Sequence, residues 1–304
     1  MINSQTKFII IIGDPVGHSL SPLMHNKGYK KLNIQDEFVF LASRTPVEDV
    51  GRVTQAMRNM DNFHGLTCTI PHKIEVMKHL DYISDDAAKI GAVNTVVKKD
   101  EKLRGYNTDW HGVIQPFRER GIILKDKKVL VLGAGGASRA SIFGFQHEGA
   151  KVTISNRTMD KAKSLASEFD CQFTSELSQD AVADFDIIFN STAVGMAPLE
   201  GQSPLPKNTL HKKHIVFDAV YKPKVTTLMQ EASVVGATCI FGYEMLLHQG
   251  TKQFEIYTGA VAPIEVMREI LEAVPMQLVI ARSLATKQSH DLGLPRPNFR
   301  CGSQ

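Results

Sequence analysis

The stretch that decides the fold is Lys128-Val129-Leu130-Val131-Leu132-Gly133-Ala134-Gly135-Gly136-Ala137-Ser138-Arg139-Ala140. An apolar run that breaks directly into closely spaced glycines reads as a buried strand turning into a helix. Gly133 allows the tight turn after the strand, while Gly135 and Gly136 let backbone amides approach an anion. The next helix would then point its N-terminus at a pyrophosphate, with Ala134 and Ala137 completing the loop. The GxGxxG pattern is incomplete because Ser138 holds the third glycine position, and a plain strand–helix turn has the same local look.

Downstream, strands are predicted at Lys151–Ser155, Asp186–Asn190, Ile215–Val220 and Ala237–Ile240, with helical patterns between them. That is the order of a Rossmann nucleotide-binding domain. Sites specific for NAD carry an acid after the second strand, to hold the ribose hydroxyls. Here the strand ends Ser155-Asn156-Arg157-Thr158, with Lys161 a turn later. Arg157 can pair with a ribose phosphate that an acid would repel, so the cofactor expected is NADP. Asn190-Ser191-Thr192 and Gly195-Met196 either line the cofactor crevice or merely end a strand.

Upstream, Phe8–Ile12, Glu37–Ala42, Gly65–Ile70 and Val93–Lys98 read as strands, the last followed by a turn at Gly105. Helices are predicted near Ser21–Leu32 and over Val47–Asn59, and this alternation argues for an open α/β sheet. A helix over Trp110–Arg120 leads into the second unit, and Pro263 opens a last helix, Ile264–Ala273.

The 304 residues suffice for two domains, and a net charge of +3 gives no general attraction to nucleic acid or anionic membrane. The apolar run at 8–12 is too short to span a bilayer and has no cleavage site of a signal peptide after it. Cys68, Cys171, Cys239 and Cys301 lie far apart without a CxxC pair, and the histidines suggest no ligand set. No metal is expected, and a reduced, cytoplasmic setting fits.

Four segments carry more chemistry than a scaffold needs. Gly13-Asp14-Pro15-Val16-Gly17-His18-Ser19-Leu20-Ser21-Pro22 places two hydroxyls, Ser19 and Ser21, where they can hold a small carboxylate; Ser21 would equally serve as a helix N-cap. Thr67-Cys68-Thr69-Ile70-Pro71-His72-Lys73, Gly91-Ala92-Val93-Asn94-Thr95 and Gly105-Tyr106-Asn107-Thr108-Asp109 add a lysine, an amide and a carboxylate on separate loops.

In this order along the chain, these segments resemble the motif set of the shikimate/quinate dehydrogenase family. The glycine loop, Asn156-Arg157-Thr158, Asn190–Met196, Asp218-Ala219-Val220-Tyr221-Lys222-Pro223 and Gly242–Gly250 are similar to that family as well. The similarity covers about Ile11 to Glu272. It implies Lys73 and Asp109 as catalytic residues, and Ser19, Ser21, Thr69, Asn94, Tyr221 and Gln249 with them as substrate contacts. It also implies cofactor contacts at Gly133, Ala134, Gly135, Gly136, Ala137, Asn156, Arg157, Thr158, Lys161, Thr192, Met196, Gly242 and Met245.

The fold implied is α/β: an N-terminal substrate and catalytic domain (1–109), a Rossmann NADP domain (110–244) and C-terminal helices (245–275) returning to the first domain. A poorly ordered tail is expected at 276–304. The activity implied is reversible, NADPH-dependent reduction of 3-dehydroshikimate to shikimate in chorismate and aromatic amino-acid biosynthesis, by a monomer or homodimer with small-molecule partners only. Thr67 and Cys68 depart from the family's usual Asn-Val, and Glu244 stands where glycine is frequent, with an expected effect on the nicotinamide side.

A free lysine, with a pKa of about 10.4, is a poor base near neutrality. Desolvation would lower that value and Asp109 would raise it, while an ammonium suits ketone reduction. Rival readings are a quinate-preferring relative and a non-catalytic NADP-binding module. A folate-type methylene dehydrogenase lacks the His18-Ser19-x-Ser21-Pro22 loop.

Overall fold

A computed structural model describes residues 1–273, so the expected tail at 276–304 lies outside the described residues. Residues 1–272 form one compact unit containing two six-stranded sheets.

The first sheet is built from β1 (Lys7–Gly13), α1 (Ser21–Lys31), β2 (Phe38–Arg44), α2 (Val50–Asn59), β3 (Phe63–Cys68), β4 (Tyr82–Ile83), α3 (Asp85–Ile90), β5 (Thr95–Lys99) and β6 (Lys102–Tyr106). Its strand order is β2-β1-β3-β5-β6-β4. The isoleucine run of β1 sits centrally, parallel to β2 and β3, which is where a strand apolar on both faces belongs.

The predicted turn at Gly105 is not there. Gly105 lies inside β6, opposite Val96 of β5, and the chain instead reverses at Asp100 and Glu101, both at positive φ (52° and 58°). Such a reversal normally announces itself by Asn or Gly; the charged sequence here hides it. Gly105 is needed in the strand because a Cβ there would lie 2.4 Å from Leu80 Cδ1.

After α4 (Asp109–Glu119) come β7 (Lys128–Leu132), α5 (Gly136–His147), β8 (Lys151–Ser155), α6 (Met159–Glu168), β9 (Gln172–Phe173), α7 (Gln179–Ala183), β10 (Ile187–Asn190), β11 (Ile215–Asp218), α8 (Thr227–Val234) and β12 (Thr238–Ile240). All their pairings are parallel, in the order β12-β11-β10-β7-β8-β9. This is the Rossmann order, and it reverses direction between β7 and β10, where such sheets bind ligands.

Two helices close the unit. In α9 (Gly242–Thr258), Leu247, Phe254 and Tyr257 join Ile9, Ile11 and Phe40 of the first sheet and Met24 of α1 in one core, as do Met267 and Leu271 of α10 (Ile264–Ala273). The C-terminal helices therefore return to the first sheet, and α9 also packs along α4. None of the described helices is long and apolar enough to cross a membrane.

Candidate active site

Strand pairing explains why distant loops meet. Ile12 of β1 is in register with Cys68 of β3, so the loops following these two strands are neighbours. Because β5 runs antiparallel to β3, with Thr67 opposite Thr95, the residue before β5, Asn94, lies at the same end. Thr95 also faces Tyr106, so Asn107, Thr108 and Asp109 emerge there too. In the second sheet Leu132 pairs with Asn190, which sets the glycine loop beside Ser191 and Thr192.

These ends line a cavity of about 230 Å³. Ser21, Thr69, Lys73, Asn94 and Asp109 face it from the first sheet; Ala137, Thr192, Met196 and Tyr221 from the second; and Gly242, Met245 and Gln249 from α9. Lys73 Nζ donates to Asp109 Oδ2 at 2.5 Å, with the two side chains only 13% and 6% exposed. The other carboxylate oxygen accepts from Asn94 Nδ2 at 2.9 Å, and the Asp109 amide donates to Asn107 Oδ1 at 2.9 Å. Asp109 opens α4, where the helix dipole favours an anion.

The Asn94 amide is fully engaged. Its nitrogen also donates to Thr108 Oγ1 (2.9 Å), while its oxygen accepts from the Thr108 amide (2.9 Å) and from Thr95 Oγ1 (2.7 Å). Its NH₂ hydrogens therefore go to Asp109 and Thr108. Ser21 is the first residue of α1, not its N-cap; Leu20 precedes the helix, and the Ser21 amide donates to Ser19 Oγ at 3.3 Å. Ser19 itself is not among the residues facing the cavity.

The glycine loop forms a bare cradle. Gly133 has φ +118°, and a Cβ there would lie 2.8 Å from Ser191 Oγ. A Cβ on Gly135 would meet nothing within 4 Å, and one on Gly136 would have Lys73 Cδ at 3.4 Å. The loop crest, at the N-terminus of α5, is thus open and looks toward the lysine. This fits a dinucleotide pyrophosphate. Ser138 ties the loop together, since its hydroxyl accepts from the Gly135 amide (2.9 Å) and bonds Ser191 Oγ (2.8 Å), which donates to the Leu132 carbonyl (2.7 Å). Beyond β8, Asn156 Nδ2 donates to the Thr158 carbonyl at 2.9 Å, and Arg157 and Lys161 are exposed. Ala134 and Lys161 line a second hollow, with Arg139 and Glu168.

Sequence reading missed a buried carboxylate that organises the cofactor side. Asp218, fully buried at the end of β11, accepts from Asn190 Nδ2 (2.9 Å), the Val220 amide (3.0 Å) and Thr226 Oγ1 (2.6 Å). Asn190 Oδ1 in turn accepts from the Thr192 amide and hydroxyl at 3.0 and 2.7 Å. Burial pushes the Asp218 carboxyl up to about 6, against the pull of its hydrogen bonds. Its signals were an acid ending an apolar strand and its place in the Asp218–Pro223 segment, which carried no role for it.

Other residues were overlooked or misplaced. His18 and Lys222 face the cavity, and burial lowers the pKa of each, with Lys222 adding to the effect on His18. The Tyr221 phenol is pushed up to about 12 by burial. Cys68 is likewise pushed up to about 12 by burial, so it is a neutral thiol. Thr67 Oγ1 bonds Tyr257 Oη at 2.8 Å. Glu244 is engaged within the chain: its carboxylate pairs with Arg120 (2.7 Å) and accepts from the Phe241 amide (3.2 Å), which caps α9. Among the described residues no cluster could hold a metal.

Three family models match the chain: the shikimate dehydrogenase substrate binding domain at residues 11–96, shikimate / quinate 5-dehydrogenase at 118–219, and the shikimate 5'-dehydrogenase C-terminal domain at 242–272. The chain is 40% identical over 277 residues to a shikimate dehydrogenase (NADP(+)) of Nitrosopumilus maritimus, covering 87% of this chain and 98% of that one. A shikimate dehydrogenase crystallised with NADP+ superposes with TM-score 0.83 at 38% identity, over 89% of this chain and 96% of the other. The Thermus thermophilus shikimate 5-dehydrogenase, crystallised with NADP(H) and shikimate, gives TM-score 0.81 at 34% identity, over 88% and 99%.

Asp218 sets a pH dependence. Its folded pKa of about 6 lies above the ordinary 3.8, so the folded chain keeps this proton to higher pH than the unfolded chain does. Stability from this group is therefore fullest below about pH 4 and falls as pH rises toward about 6. Asp218→Asn removes the titration, so the urea midpoint of the variant relative to the parent should move in the variant's favour between about pH 4 and 7. A pH-independent difference would show an ordinary carboxylate.

Proposed function

The chain belongs to the shikimate dehydrogenase family, and we propose that it interconverts shikimate and 3-dehydroshikimate with NADP(H), the step that serves chorismate and aromatic amino-acid biosynthesis. The observation that carries this reading is the buried Lys73–Asp109 pair facing the bare crest of the glycine loop. A proton-handling pair then lies beside a place where a dinucleotide can be held.

A bound nicotinamide supplies the two-electron half of the reaction, giving hydride to the ring carbonyl carbon or taking it back. The chain must manage the proton. In reduction Lys73, as the ammonium of its ion pair, hydrogen-bonds the carbonyl oxygen and gives up a proton as that oxygen becomes a hydroxyl; in oxidation it takes the proton back. Asp109 holds the amine in place and accepts from the same or the adjacent hydroxyl. Asn94 acts chiefly by aiming Asp109, since its amide hydrogens are engaged within the chain.

Ser21 and Tyr221 take the ring carboxylate, Ser19 supports Ser21 by accepting from its amide, and Thr69 and Gln249 take the remaining hydroxyls. Gly133, Ala134, Gly135, Gly136 and Ala137 cradle the pyrophosphate. Asn156, Arg157, Thr158 and Lys161 hold the adenosine phosphate, and Thr192, Met196, Gly242 and Met245 flank the nicotinamide. We read residues 1–109 and 245–275 as the substrate side and 110–244 as the cofactor side of a cytoplasmic monomer or homodimer. Shikimate is favoured over quinate by the same resemblance.

The reading is tested by following NADPH formation from shikimate and NADP, with quinate and NAD as crossed controls. Turnover with shikimate and NADP is expected, and silence in all mixtures while NADP still binds would leave only a binding module. Lys73→Ala should lose about 10²–10⁴-fold in kcat while retaining NADP binding; near-normal turnover would remove Lys73 from the proton step. Arg157→Ala should weaken NADP with little change toward NAD, and equal losses for both would argue against a ribose-phosphate contact.

A further inference from the structure

Arg139 lies one residue beyond the serine that closes the glycine loop, and its guanidinium, on the wall of the hollow that Ala134 and Lys161 also line, is already engaged within the chain. It is held by Glu168 and by the ring of Phe169, whose centroid is 5.4 Å away, and only 15% of its side chain is exposed. Its Nε donates to the Ile90 carbonyl at 2.6 Å, so the contact crosses from the second sheet to the end of α3 in the first. Gly91 makes this approach possible. It has φ +68°, and a Cβ there would lie 2.4 Å from an Arg139 guanidinium nitrogen. The crossing is also packed, because Ile90 and Ala92 belong to the same core as Val129, Val131 and Phe145.

The residues just after Ile90 support the catalytic pair one by one. The Ala92 carbonyl accepts from Asn107 Nδ2 at 2.9 Å, and Asn107 Oδ1 accepts from the Asp109 amide. The Val93 amide donates to the Lys73 carbonyl at 2.8 Å. Asn94 Nδ2 donates to the Asp109 carboxylate. A shift of this short segment therefore moves both members of the pair, and Arg139 is its fixed link to the first turn of α5.

Resting on the functional reading above, we propose that Arg139 is a positioning residue that couples occupation of the glycine loop to the geometry of the Lys73–Asp109 pair. Cofactor seated at the start of α5 fixes that helix, and Arg139 carries the restraint to Ile90 and so to Asn94. Substrate bound on the pair restrains the same segment from the other side. The two ligands then tighten each other's binding, since coupling between sites is reciprocal.

The test is fluorescence titration of NADPH into the full chain, with and without saturating shikimate, a pair that cannot react together. In the parent, shikimate should tighten NADPH about 5-fold or more. Arg139→Ala should keep the shikimate-free NADPH affinity within about 2-fold, lose the tightening, lower kcat about 10–100-fold, and raise each KM by no more than about the tightening it loses. Millimolar guanidinium should restore part of kcat. Gly91→Ala keeps Arg139 but displaces it, and should lose the tightening too; it supplies the measurement if Arg139→Ala does not fold.

A shikimate-free NADPH affinity that falls as much as kcat would make Arg139 a cofactor contact and overturn the proposal. So would a folded Arg139→Ala with normal kcat and tightening, or a parent that shows no tightening. Parent turnover of shikimate is a separate control whose failure sinks the functional reading alone.

Discussion

A lysine ammonium and a carboxylate in contact, nearly out of water, form the constraint on which the rest of this structure depends. Removing two charges from water costs several kcal/mol each unless their remaining hydrogen-bonding capacity is met. Here it is met by Asn94 on the second carboxylate oxygen, by Asn107 on the Asp109 amide and by the N-terminus of α4. The pair and its partners come from the loop after β3, the loop before β5 and the loop after β6, so the first sheet must be mixed, with β5 antiparallel to both β3 and β6, to bring them to one end.

The second sheet answers a different demand. A dinucleotide pyrophosphate needs open backbone amides and no side chain in the way, and only glycine supplies that at Gly133, with its positive φ. The serine at the third glycine position looked like a weakness in the motif, yet it ties the loop to Ser191 and stiffens the cradle. Asp218 does comparable work one layer down by fixing Asn190, and through it Thr192. A buried carboxylate with three donors and no cation beside it holds its proton more firmly than one in water.

Much of this was legible in the chain. The strand running into glycines gave the Rossmann unit, and Arg157 in place of an acid gave the cofactor preference. Lys73 and Asp109 stood out only through resemblance, because a lone lysine and a lone aspartate in loops look like solvated surface. The reversal at Asp100 and Glu101 was illegible, since Glu101 stands where the glycine that usually completes such a turn would be. The pairing of Glu244 was illegible because its partner, Arg120, is distant in sequence and comes alongside only when α9 packs on α4.

By itself, the sequence determined what local physics encodes: where strands and helices lie, which loop is bare enough for a phosphate, and which charges are present. Tertiary structure alone decided which of those charges meet. Sheet order and register carry Lys73, Asn94 and Asp109 to one end, turn the Asn94 amide onto its neighbours, and lay Arg139 across the joint between the sheets. Pattern along a chain records a residue's own burial and backbone preference, whereas a contact between distant residues exists only once the intervening strands have paired.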